Sequence, residues 1–220
     1  MKKKHIIALL FFFFFCGHTV LIISILYQNG NYPTGSDTFA HLYKGQVLYE
    51  HIKDGDFWPL FDPDWYNGVQ MMRFWAPLPV YVIAICIEIG RGSIFNGYLL
   101  FAGLVFLCGA LSWLYIGMKK ERTFLCGLLG ILWFFIPNNL FALFSEGNLP
   151  RSLSMVFLPL LFYNIYEYLF AEDKNVIKSA DFGKSCCNNN VRWKNFLGII
   201  VIFSLITLCH SGYAGMVALS

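Results

Sequence analysis

The sequence predicts an all-α integral membrane protein: a polytopic helical bundle with a long first extracytoplasmic loop containing interfacial helices. Three observations carry that prediction. Hydrophobic residues make up 57% of the 220 and charged residues only 13%, where soluble domains carry roughly 25% charged. A core for a chain of this size cannot absorb so much apolar surface and keep a charged shell, so the excess faces lipid. The apolar residues also fall in long runs free of formal charge, while the polar ones crowd into one stretch, residues 28–75.

The same numbers exclude other classes. The formal net charge is +3, and no basic block follows the first four residues, so a nucleic-acid partner is not expected. Seven cysteines are an odd count, most of them in apolar runs, and no C-x-x-C occurs. They read as small hydrophobes, not as a disulfide frame or zinc site.

A bilayer core of about 30 Å needs roughly 20 apolar residues per helix. Residues 6–27, behind Met-Lys-Lys-Lys, meet that need and are too long for a cleaved signal core. They form the first span, with the lysines in the cytoplasm. The outer loop 28–93 follows. In it, Ser36 or Asp37 is placed to cap a helix running to about Lys53. The next stretch, DFWPLFDPDWYNGVQMMRFWAPLPVY, is dense in aromatics and proline. It is expected to lie on the membrane with Trp58, Trp65 and Trp75 at headgroup depth, and with Asp62 and Asp64 solvating a turn.

Segment 77–90 is short for a span, opens with two prolines and contains Glu88, so an interfacial or re-entrant helix fits it better. With that segment not crossing, Lys119–Arg122 and the loop 171–194 both fall in the cytoplasm, as the positive-inside tendency requires. Further spans are expected at about 94–118, 123–144, 152–170 and 195–217. The chain reads as one polytopic membrane domain over 1–220, multi-pass in the cell membrane with a cytoplasmic amino terminus. It stops in an apolar run, and it is read as the amino-terminal part of a longer module.

The chemistry-bearing residues gather on the outer side. Asp37, His41 and Lys44 recur at i, i+4 and i+7 and share one helix face. A carboxylate and an imidazole at that spacing suit convergence on a metal or on a substrate hydroxyl. They equally suit an N-cap with two solvated neighbours. Arg73, beside the bilayer surface, suits bidentate phosphate binding. Glu146 and Arg151 stand between two spans, where they either contact substrate or form a local ion pair. His210 lies at membrane depth, where an ionisable group usually faces a cavity. A neutral, hydrogen-bonded histidine is the other reading.

Lined up, these residues resemble the amino-terminal part of the GT-C superfamily of integral membrane glycosyltransferases. More narrowly, the chain resembles bacterial membrane proteins labelled 6-pyruvoyl-tetrahydropterin synthase-related. The likeness rests on GSDTFAH (35–41), GDFWP (55–59), NGVQMMRFWAPLPVY (67–81), EGNLPRSLSMVFLPL (146–160) and HSGYAG (210–215). Nothing in these residues points to pterin chemistry. Many relatives carry two adjacent acids after the first span, whereas Thr38 follows Asp37 here.

The resemblance implies a GT-C-like fold and a sugar donor of the polyprenyl-phosphate type, used at the outer face of the membrane. It implies Asp37 as the catalytic acid, with His41, Arg73, Glu146, Arg151 and His210 as substrate contacts. A divalent metal, Mg²⁺ or Mn²⁺, held by Asp37 and His41 is compatible with it. The alternative is a non-catalytic polytopic membrane protein of envelope or glycan assembly. A transporter is disfavoured because the spans hold few ionisable groups.

Overall fold

The computed structural model describes residues 3–30, 32, 35–65, 67–170 and 189–219. Most of the expected connector 171–194, including Cys186 and Cys187, lies outside the described residues. Among the described residues the chain is helical, and its β contact is an isolated antiparallel bridge between Asp62 and Val69.

Among the described residues, five long traverses make the bundle. The first is α1 (Lys3–Asn29). The outer-loop residues then fold as α2 (Thr38–Lys53), a single turn α3 (Met71–Phe74) and α4 (Pro77–Ile89). Next come α5 (Ile94–Lys119) and α6 (Thr123–Trp133), continued by α7 (Pro137–Leu140) and a π-helical turn at Phe141–Ser145. Helices α8 (Leu149–Met155) and α9 (Leu158–Phe170) form the fourth traverse. The fifth is α10 (Asn189–Cys209), followed by a short α11 (Ser211–Leu219).

Four of these are long and apolar enough to cross a membrane: Lys3–Asn29, Ile94–Lys119, Leu149–Phe170 and Arg192–Cys209. The pair Thr123–Trp133 and Pro137–Ser145 makes a fifth if it counts as one span, bent by 41°. The bend has a local cause. Pro137 has no N–H to donate to the carbonyl of Trp133, and the amide Nδ2 of Asn139 donates to that carbonyl instead, at 3.1 Å. Helix α4, at 13 residues, is shorter. It rises about 20 Å, against a hydrocarbon core of about 30 Å.

Helix α5 sits at the centre, packed on α1, α4, α6 and α9. Small residues let its neighbours come close. A Cβ on Gly109 would lie 2.0 Å from the indole of Trp133, the close approach typical of membrane helix interfaces. Beside it Phe106 stacks on Phe134, with ring centres 5.7 Å apart, and the buried Phe15 of α1 closes the layer. The rest of α1 turns Leu10, Phe13, Val20 and Leu21 outward, as a lipid-facing helix does. The composition and the packing together describe a multi-pass helical membrane protein.

Named contacts fix which ends of the traverses meet. At one end Lys4 pairs with Glu121 at 3.0 Å and Lys120 pairs with Glu167. At the other, Tyr27 stacks on Phe95, and Asp37 donates its backbone N–H to the carbonyl of Glu146 at 3.0 Å. The polar loops therefore collect at the end opposite the Lys4–Glu121 pair.

Candidate functional site

Helix α2 begins where two loops are bolted together. The hydroxyl of Ser36 and the N–H of Asp37 both donate to the carbonyl of Glu146, each at 3.0 Å. Gly147 has φ +70°, and a Cβ there would meet the Thr38 hydroxyl at 2.2 Å. Asp37 occupies the N-cap position of α2, yet its side chain makes no cap hydrogen bond. Of the two sequence readings of Asp37, the capping one thus describes its backbone and not its carboxylate.

Below this joint lies a cavity of about 240 Å³. Asp37, His41 and Lys44 line it from the N-cap and first turns of α2; Trp75 from the joint between α3 and α4, with Pro79 and Ile83 from α4; Asn148 and Pro150 from the start of α8; and Cys209, His210 and Ser211 from the junction of α10 and α11. Three residues singled out from sequence, Asp37, His41 and His210, therefore meet, although long stretches of chain separate them.

Lys44 is the deepest charged group. It is 2% exposed, and its ammonium lies 3.7 Å from the ring centre of Trp75 and 5.1 Å from that of Trp65. Those two indoles stack at 6.1 Å, and Tyr43 packs edge-on against Trp65. The ammonium makes no hydrogen bond or ion pair within the described residues; Asp37 acts on it through space. A desolvated cation–π contact is worth about 2 kcal/mol, whereas burying an ion costs several kcal/mol even after relaxation. Burial accordingly pulls the Lys44 pKa down to about 8, with the Asp37 charge opposing.

Burial also holds His41 neutral. Its pKa falls to about 3, first through desolvation and then through the charges of Lys44 and His210. His210 is lowered too, by desolvation first and by Arg151, with Glu146 acting the other way. Its Nδ1 accepts the N–H of Tyr213 at 2.9 Å, at the start of α11. The satisfied neutral histidine and the cavity-lining histidine are thus the same residue.

Other expected site residues stand outside the cavity lining. Arg151 is bound at 2.8 Å and 3.0 Å to both carboxylate oxygens of Glu146, and at 2.9 Å to Asn138. The pair braces the second loop while Asn148 and Pro150 reach the cavity. Arg73 is exposed on α3 and donates to Gln70 at 2.7 Å. Asp62 is not the solvated turn residue expected from sequence. It is 3% exposed, and its Oδ1 accepts from the N–H of Asp64 and the hydroxyl of Tyr43. Trp65 and Trp75 enclose a cation, while Trp58 is exposed with Phe57, Leu60 and Phe61 beside it.

Asn148 and the packing of Lys44 against two indoles are what sequence reasoning missed. Lys44 shows in the i, i+7 spacing, but nothing local tells that it is buried. Among the described residues, no three or more His, Cys, Asp or Glu converge as metal ligands.

The fold and the cavity define the class: a polytopic helical membrane protein whose polar loops close over one pocket at one end of the bundle. Residues 72–181, half of the chain, match the model of the 6-pyruvoyl-tetrahydropterin synthase related domain, a membrane protein. The chain belongs to that family. It is also 27% identical over 158 residues to an uncharacterized protein of Lactococcus lactis subsp. cremoris (strain MG1363), a stretch covering 66% of this chain and 25% of the relative. The chain thus spans about a quarter of that relative's length. No solved structure matches the chain.

Proposed function

We propose that this chain is the amino-terminal part of a GT-C-type membrane glycosyltransferase. In this reading it works at the outer face of the cell membrane, with its amino terminus in the cytoplasm, and takes a sugar from a polyprenyl-phosphate donor. The observation that carries the reading is the cavity itself. A carboxylate free of cap bonding, a neutral imidazole and a cation share one pocket at one end of the bundle.

The reaction needs those parts. Asp37 takes the proton of an acceptor hydroxyl as its oxygen bonds to the anomeric carbon. The bond from that carbon to the donor phosphate breaks, and the phosphate leaves with the electron pair. A fixed cation stabilises the departing charge most where water is excluded. His41, kept neutral, orients the acceptor without competing for the phosphate. Exposed Phe57, Trp58, Leu60 and Phe61 suit contact with the headgroup layer, where a lipid phosphate is presented.

The second reading is the non-catalytic protein of envelope or glycan assembly. It draws support from the Glu146–Arg151 pair, which neutralises a guanidinium that a transferase would use. The full-length protein in liposomes, assayed for transfer from a labelled polyprenyl-phosphate sugar, separates the two. Asp37→Asn should lose about 10²–10⁴-fold in turnover with insertion and folding intact. Transfer by the Asn variant at the unmodified protein's rate removes Asp37 from the chemistry. Absence of transfer by the unmodified protein, across donors, favours the non-catalytic reading.

A further inference from the structure

We infer that Lys44 is the phosphate-binding residue of the cavity, its ammonium held against Trp65 and Trp75 so that its hydrogen bonds are completed by the oxygens of a bound phosphoester. This deepens the proposed function and rests on it only for the nature of the rest of the ligand.

Three observations lead there. Lys44 is 98% buried by its 2% exposure, and it lines the cavity. Its ammonium has three donors and no protein acceptor among the described residues, and the indole faces 3.7 Å and 5.1 Å away offer attraction without a lone pair. An ammonium so placed is satisfied only by an acceptor that enters the cavity, and an anionic oxygen meets both the charge and the hydrogen-bond requirement.

The two arginines that sequence suggested for this role are placed otherwise. Arg151 is occupied by Glu146 and Asn138, and Arg73 does not line the cavity. Asp37, the anion nearest in effect, forms no ion pair with Lys44. Its position favours a ligand whose phosphate sits on Lys44 and whose reacting carbon lies between the two side chains.

The test is equilibrium binding of radiolabelled polyprenyl phosphate to the full-length protein in phosphatidylcholine nanodiscs, with inorganic phosphate as competitor. Lys44→Met keeps the stem that packs in the aromatic cage and removes the charge. It is expected to bind at least tenfold more weakly while its thermal midpoint is held or raised. A structural cation would give the opposite: a lowered midpoint with binding unchanged, which overturns the inference. Should the Met variant fail to fold, Trp75→Phe decides, since a loosened cage must weaken binding and an unchanged affinity again overturns it.

Inorganic phosphate that competes as well as the lipid identifies the free anion as the ligand; a lipid requirement identifies a membrane-borne phosphoester. Both support Lys44. Failure of the unmodified protein to bind either probe overturns it. Lys44-dependent binding without sugar transfer keeps this inference and removes the transferase. Transfer with donor affinity unaltered in Lys44→Met does the reverse.

Discussion

His41 and Lys44 stand on adjacent turns of one helix, and the same burial drives them to different charge states. Desolvation disfavours the cation in both. An imidazole yields, with its pKa at about 3, and stays neutral; an ammonium lowered to about 8 keeps its proton at neutral pH. The consequence for stability has a definite sign. An unfolded histidine titrates near 6.5, so between about 6.5 and 3 the unfolded chain binds the extra proton and the folded one does not. Stability therefore rises with pH across that window and falls on acidification. Thermal melts of the protein in detergent from pH 7 to pH 4 should show that fall, and His41→Gln should flatten it. Equal slopes for the two proteins would mean that His41 is not held neutral in the fold. The sequence shows that these residues share a face, through their spacing alone. It does not show that they are buried, because one indole against Lys44, Trp65, comes from inside the turn that the Asp62–Val69 bridge closes and the other, Trp75, from beyond it, and no local pattern encodes that packing.

At the scale of elements, the positions of the helices are legible and their joints are not. Long charge-free runs mark the traverses, and the two prolines and Glu88 mark α4 as short. The bend between α6 and α7 is readable in Pro137, but the amide of Asn139 that repairs the freed carbonyl is not. Least readable is the joint between the two loops. SEGNLPR announces polar residues between spans, yet nothing in it says that Glu146 will receive Ser36 and Asp37, or that Gly147 must be bare to admit Thr38. That joint can be tested against a matched control. Gly30 and Gly147 have nearly equal φ, +67° and +70°, but a Cβ meets nothing within 4 Å at Gly30 and meets Thr38 at 2.2 Å at Gly147. Gly30→Ala should cost only the left-handed strain, about 1–2 kcal/mol. Gly147→Ala should cost distinctly more and should weaken whatever the cavity binds, since it lifts the start of α2 off the second loop. Equal losses in thermal stability would show that the joint tolerates separation.

At the scale of the whole molecule, the question is which end faces out. The Lys4–Glu121 and Lys120–Glu167 pairs tie three traverses together at one end, and the Asp37–Glu146 bond ties the loops at the other. If the bent pair α6–α7 counts as one span, the five traverses run in alternating directions, and the cavity end and the lysine end lie on opposite sides of any bilayer that the bundle spans. Charge then chooses the orientation. Lys119 ends α5 and Lys120 and Arg122 follow it at once, and basic residues near span ends tend to be retained in the cytoplasm. The cavity end also carries basic residues, Lys44, Lys53, Arg73, Arg91 and Arg151, but they are scattered through the loops; Lys44 is buried against two indoles and Arg151 is paired with Glu146. The expected arrangement is a cavity facing outward. In a cysteine-less background, Asp54→Cys should react with a membrane-impermeant maleimide added to intact cells, and Glu121→Cys should react only after permeabilisation. The reverse pattern would invert the protein and move the pocket to the cytoplasmic leaflet. Labelling of both sites in intact cells would be incompatible with five alternating traverses, because it requires α4 to cross. An inverted result would bear on function as well. A pocket at the cytoplasmic leaflet meets soluble activated sugars as readily as lipid-linked ones, so the lipid-phosphate donor proposed above depends on Asp54 reacting first.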